Sequence, residues 1–220
     1  MERELDAMRG MKQRQIRIGA PYSLFECLLP AVVREFQDYF PDCEPVVVAG
    51  DSRELLPRLA AGDLDLAFGL RQASPDGKFF LPVFRDCMAF LVGPAHPWSD
   101  GEEPSAEAMA GMQYLLHART AETGPMVADY FWKLRVKPRD PVVVGDMGSL
   151  SALLRTGHGV GIAAPWVARR ELDAGRLVQV KVPGAPIERR WGIYTTDYRE
   201  PSAVEQVFIE LATFAAKLLG

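Results

Sequence analysis

At 220 residues, 48% of them hydrophobic, the chain is long enough to bury a real core as one large domain or two small ones. Its formal net charge of -4 argues against an extended nucleic-acid footprint on these residues, which would need a surplus of clustered Lys and Arg. No apolar run reaches a membrane span, and the first residues lack the apolar core of a signal peptide. Three cysteines, Cys27, Cys43 and Cys87, lack metal-ligand spacing. The expectation is a cytoplasmic protein with unpaired thiols and no membrane partner.

Residues 1–14 are mostly charged, with Leu5, Met8 and Met11 as a thin apolar stripe, and read as a helical tail or the end of a longer helix. Residues 16–20 form a short apolar strand, and Ser23 with Glu26 has the spacing of a capping box. The box predicts a helix whose apolar positions are Phe25, Leu28, Leu29, Val32, Phe36, Tyr39 and Phe40. With the strand at 45–48 this makes a βαβ crossover, and Ser23 then stands at a strand's carboxyl end, where ligands collect. The helix adds Leu24 and Ala31 to its apolar surface, more than one buried face needs, which suggests a dimer contact.

Asp51 and Ser52 offer N-caps to a helix running to Ala61, with Gly62 closing it and Pro57 predicting a bend or a late start. Residues 64–69 are a buried strand, delivering Leu70 and Arg71 to the same cleft as Ser23. A turn at 74–78 leads to one or two strands over 79–92. Gly93-Pro-Ala-His-Pro-Trp then breaks the pattern and marks a first crossing between lobes.

The logic repeats beyond it: a strand at 112–117, a polar turn at 118–124, a helix opened by Pro125, and a strand at 142–144. A turn at 145–149 leads into a helix at 150–155, ended by Gly157 and Gly159. A strand at 161–164, a helix at 166–174 and a strand at 177–180 follow. The strand at 187–195 runs back to the first lobe, and Ser202 with Glu205 caps a final helix with an apolar face of Val204, Val207, Phe208, Leu211, Phe214, Ala215 and Leu218. The class is α/β: two Rossmann-like lobes joined by two crossover strands. Residues 15–91 plus 193–220 form lobe I, and 92–192 form lobe II, inserted into it.

Enzyme signatures are missing. No Gly-x-Ser-x-Gly elbow, Walker loop, His-Glu-x-x-His or dinucleotide fingerprint follows a strand. His117 and His158 are lone imidazoles, and His96 sits between prolines, so neither a metal nor a cofactor is expected.

Six runs in order carry a resemblance: Arg-Ile-Gly-Ala-x-x-Ser with Leu-Leu-Pro; Phe-x-x-x-Phe-Pro-Asp; Gly50-Asp-Ser-Arg-Glu-Leu-Leu; Ala61-Gly-Asp-Leu-Asp-Leu-Ala-Phe; Leu91-Val-Gly-Pro-Ala-His-Pro; and Gly157-His-Gly-Val-Gly-Ile-Ala-Ala-Pro. Over residues 15–214 the chain resembles the effector-binding domain of LysR-type transcriptional regulators. The resemblance implies a fold similar to type II periplasmic binding proteins. It also implies a small-molecule effector between the lobes and a homodimer or homotetramer. DNA would be bound only through a helix-turn-helix absent from these residues, with 1–14 matching the end of the linker helix.

Carried over by position, Ser23 matches the family's small hydroxyl residue. Arg119, Thr120 and Thr123 fall on the polar turn, and Met147 and Gly148 on the turn before the next cleft-facing helix. Tyr22 and Leu70 complete the expected ligand-binding set, while Pro125 and Met126 depart from the pattern. Each has a plainer reading: Ser23 as a cap, Thr123 as a turn residue, Arg119 as a solvated charge, and Tyr22, Phe68 and Trp166 as packing aromatics. The function implied is effector sensing without catalysis; a solute-binding protein or an enzyme on the same fold is the alternative.

Overall fold

The computed structural model describes residues 15–72, 78–117, 123–196 and 199–219. The expected tail at 1–14 and the turn residues Arg119 and Thr120 lie outside them, as does most of the turn at 74–78. The chain divides into two compact units, residues 1–85 with 190–220, and residues 86–189. Sequence alone puts the crossings at 91/92 and 192/193. The first falls earlier because the chain changes unit inside a continuous 15-residue strand, and the Gly93-Pro94 break only marks that strand's end.

In the first unit, β1 (Gln15–Ala20) leads into α1 (Tyr22–Cys27), α2 (Leu29–Tyr39) and β2 (Glu44–Ala49). Then come α3 (Ser52–Ala60) and β3 (Leu66–Leu70). β4 (Lys78–Val92) leaves the unit and β9 (Ile187–Thr196) returns, followed by α8 (Ala203–Ala216). The sheet order is β2-β1-β3-β9, with β1 parallel to β2 and β3, and β9 antiparallel to β3. β1 and β3 are almost wholly buried, as central strands covered on both faces must be.

The capping box at Ser23 does not form. Pro21 is the N-cap, its carbonyl accepts the Phe25 N–H at 3.0 Å, and Ser23 is already the helix's second residue with no side-chain cap bond. The helix then breaks at Leu28, because Pro30 has no N–H to give the preceding turn. That break resets the helical phase, so Leu24, Leu28, Leu29, Val32 and Phe36 are all buried and Phe25 stays exposed. The width of the apolar surface is thus largely absorbed within the chain. α2 packs on α8 through Phe36 and Phe208, edge to face at 5.4 Å.

α3 starts on time despite Pro57, because the Asp51 carboxylate accepts the N–H groups of Arg53 and Glu54 at 2.8 and 3.2 Å. The Ser202–Glu205 box forms in full at the start of α8.

The second unit holds the end of β4, a 3-10 turn (Pro97–Asp100) and α4 (Ala106–Gly111). These are followed by β5 (Tyr114–His117), α5 (Thr123–Lys133) and β6 (Val142–Val144). α6 (Met147–Arg155), β7 (Val160–Ala163), α7 (Pro165–Asp173) and β8 (Val178–Val180) complete it. The order is β8-β4-β7-β5-β6, with β5 parallel to β6 and β7, and β4 antiparallel to its neighbours β7 and β8. One core cluster joins Leu91, Leu115, Leu150, Leu154, Ala163 and Leu177. The 3-10 turn and α4 escape the sequence reading. His96 and Ser105 cap them, and each is too short to show helical periodicity.

Candidate functional site

A parallel βα unit presents a helix amino terminus beside the carboxyl end of its strand, so the candidate residues are grouped by the sheet edge they occupy. In the first unit, β1 ends at Ala20 and α1 begins behind Pro21. The Gly50 N–H donates to the Ala20 carbonyl at 3.1 Å, holding the turns after β1 and β2 side by side. β3 lies in register with β1 through Gly19 and Ala67, which brings Leu70 to the same edge. Tyr22, Ser23 and Leu70 therefore share one rim: Tyr22 exposed, Ser23 half-buried, Leu70 buried.

Leu70 is fixed there by Tyr194, whose hydroxyl donates to the Leu70 carbonyl at 2.8 Å and accepts the Gln72 N–H at 2.9 Å. Ser52 joins this rim. Its hydroxyl is buried, and a Cβ on Gly69 would lie 3.1 Å from it. Sequence reading took Ser52 only as a cap; a small hydroxyl residue directly after a strand-ending Gly-Asp is the signal that could have added it.

In the second unit, β5 and β6 are parallel neighbours in register at His117 and Val144. Thr123 at the start of α5 and Met147 and Gly148 at the start of α6 therefore share the other rim. Thr123 and Met147 are buried. Met147 and Gly148 are not in a turn, as expected from sequence, but in the first turn of α6, which starts three residues early. Asp146 is its cap, accepting the Ser149 N–H at 2.8 Å and the Ser149 hydroxyl at 2.7 Å.

The electrostatics differ between helix starts. α6 carries the Asp146 carboxylate at its positive end, so that end is already neutralised. The first turns of α1, α2, α5 and α7 contain no acidic residue, and of these the starts of α1 and α5 carry the candidate hydroxyls of Ser23 and Thr123, with Glu122 directly before Thr123 in the sequence. Behind this rim α6 is tied to α7 by Glu171, which accepts the Ser151 hydroxyl at 2.6 Å and the Arg176 guanidinium at 2.8 and 2.9 Å. Arg176, then Ser151, hold the Glu171 carboxyl down to about 2.

A buried polar cluster lies where the chain enters and leaves the second unit. Asp86 on β4 accepts Arg189 Nε at 2.9 Å, pairs with its Nη2, and accepts the Trp166 indole N–H at 2.7 Å. Both charged side chains are 7% exposed. A further groove of about 670 Å³ runs between α5 and the segment entering β6, with Tyr114, Val127, Phe131 and Trp132 along it. Among the described residues no group of three or more His, Cys, Asp or Glu could hold a metal ion, and no helix is long and apolar enough to cross a membrane.

The family model for the LysR substrate binding domain matches residues 9–216. The chain belongs to that family. Among curated proteins it is 24% identical over 196 residues to the HTH-type transcriptional regulator CbbR of Rhizobium meliloti (strain 1021), covering 87% of this chain and 61% of that protein. The chain thus spans about three fifths of the length of that relative. The effector binding domain of QuiR in complex with shikimate superposes with a TM-score of 0.76 at 17% identity, over 93% of this chain and 97% of that one. The BenM effector binding domain with its effector benzoate gives 0.76 at 17% identity, over 94% of each. This LysR-family chain shares their α/β fold, as the sequence implies.

Proposed function

We propose that this LysR-family chain is the effector-sensing part of a transcriptional regulator and that its effector is a small organic acid. The observation that carries the acid is that Ser23 and Thr123 sit in the first turns of α1 and α5, neither of which contains an acidic residue. Two solved domains of the same fold are described with shikimate and with benzoate, both carboxylic acids. In this reading Ser23, Tyr22 and Leu70 meet the effector from one rim. Thr123, Met147 and Gly148 are the expected contacts of the second unit, and Arg119 and Thr120, which lie outside the described residues, complete the set. Binding shifts the population of two arrangements of the units, and a helix-turn-helix outside these residues reports the shift to DNA.

The working form is a homodimer, or a tetramer built from it. Trp132 on α5 is 77% exposed, and Val142 and Val143 on the edge strand β6 are 47% and 37% exposed, apolar residues of the kind an isologous contact buries. A calorimetric screen of small carboxylates, shikimate and benzoate included, tests the effector. A ligand found this way loses roughly tenfold or more in affinity in Ser23→Ala and in Thr123→Val, the loss of one hydrogen bond to a charged group. Unchanged affinity in both variants, or a screen in which only neutral compounds bind, refutes the acid reading.

A further inference from the structure

The two strands that carry the chain between its units, β4 and β9, are hydrogen-bonded neighbours. On them lie two side-chain pairs of opposite character. Phe84 and Trp191 stack with centroids 5.8 Å apart and planes within 9°, both in the first unit. Asp86 and Arg189 form the buried forked ion pair, and they are the first and last residues of the second unit. Moving two residues along one strand and two back along the other leads from stack to ion pair, the spacing of same-face neighbours in an antiparallel ribbon. The unit boundary falls between them, at Arg85 and Arg190.

We propose that the Asp86–Arg189 pair is a clasp that closes the second unit and confines flexing of the crossing ribbon to the single step at Arg85 and Arg190, with Trp166 coupling the clasp to the first turn of α7. Three features support it. A guanidinium fork on a carboxylate fixes orientation as well as distance, so the strands cannot splay on the second-unit side without exposing a buried charge. The stack on the other side resists shear but offers no such directional bond. Trp166 is the second residue of α7, and α7 starts at the carboxyl end of β7. β7 runs parallel to the β5 strand that leads to Thr123. Its indole N–H on Asp86 therefore links the rim of the second unit to the ribbon without touching a ligand; Trp166, Asp86 and Arg189 are positioning residues.

The test is hydrogen exchange on the whole chain with no ligand added, so it stands apart from the effector assignment. Trp166→Phe removes the indole N–H and leaves a smaller aromatic ring. It is expected to speed exchange about tenfold in residues 86–92 and 187–189 as well as in 165–168, since a hydrogen bond to a buried charge is worth about that factor, while β1 and α3 stay unchanged. Asp86→Asn is expected to do the same more strongly. Should it fail to fold, the double variant Asp86→Leu with Arg189→Met removes the pair without leaving a lone charge and must show the same localised loss. In nitrogen-edited spectra the Trp166 indole signal, assigned by its disappearance in Trp166→Phe, must move in the Asp86 variants. Exchange changes confined to 165–168, or spread evenly over the second unit, or an indole signal indifferent to Asp86, would overturn the clasp.

Discussion

The Tyr194 hydroxyl stands between two strands at the rim of the first unit, donating to the Leu70 carbonyl and accepting the Gln72 N–H. Its ring is fully buried against Phe80, at 4.9 Å between centroids. Tyr194→Phe preserves that packing and deletes both hydrogen bonds. We expect a loss of about 1–3 kcal/mol in stability, read from the urea midpoint at unchanged slope. Because Leu70 belongs to the candidate site, effector affinity should fall as well, although Tyr194 touches no ligand. Stability loss with affinity intact would separate Leu70 from the site.

Gly159 and Gly62 both sit at positive φ, +79° and +80°, yet their surroundings differ. A Cβ on Gly62 meets nothing within 4 Å, whereas one on Gly159 would lie 2.3 Å from the Gln113 carbonyl oxygen. That carbonyl accepts the Val160 N–H at 2.9 Å and so starts the pairing of β7 with β5. Gly62→Ala should cost about 1 kcal/mol, the left-handed penalty alone, and Gly159→Ala about 2–4 kcal/mol, strain and clash together. Thermal melts of the two variants side by side check the difference.

His96 caps the 3-10 turn with its own ring: Nδ1 accepts the Trp98 N–H at 3.1 Å, and the side chain is buried. Burial lowers its pKa below the usual 6.5, so the folded protein holds the neutral form. The stabilisation is complete above the unfolded value and fades as pH falls through the lowered one, where the ring must take a proton on the atom that accepts the cap bond. Melting temperature should therefore drop between neutral and mildly acid pH. In His96→Asn, which keeps a neutral acceptor, that part of the drop should vanish.

What could be read from sequence was what neighbouring residues decide. Most of the order of strands and helices, the Asp51 cap and the Ser202–Glu205 box are local, and the structure holds them, the 3-10 turn, α4 and the break at Leu28 excepted. The same Ser-x-x-Glu pattern misleads at Ser23 because Pro21 closes the first turn two residues sooner. Gly145 to Gly148 looks like a turn, yet Asp146 converts its second half into helix. That Tyr22, Ser23 and Leu70 stand at a carboxyl-end rim follows from strand-to-helix order, whereas Thr123, Met147 and Gly148 were expected from the family resemblance. The partnership of Asp86 with Arg189 joins residues 103 apart in the chain, and only the antiparallel pairing of β4 with β9 reveals it.

Trp132 offers the most direct test of assembly. It lies on α5, 77% exposed, along the groove it shares with Asp140 and Pro141 just before β6, a strand whose outer edge has no neighbour in its sheet among the described residues. An indole left in water near an open strand edge has the composition of an interface hot spot, where burying one aromatic is worth about 2 kcal/mol or more. Trp132→Glu places a charge there without disturbing packing, since the native side chain is already exposed. Sedimentation should show the wild type as a dimer and the variant at least roughly thirtyfold weaker in association, with the melting temperature of the monomer unchanged at matched dilution. If the variant associates as the wild type does, the dimer forms elsewhere, and the exposed Phe25 on α1 becomes the next position to charge.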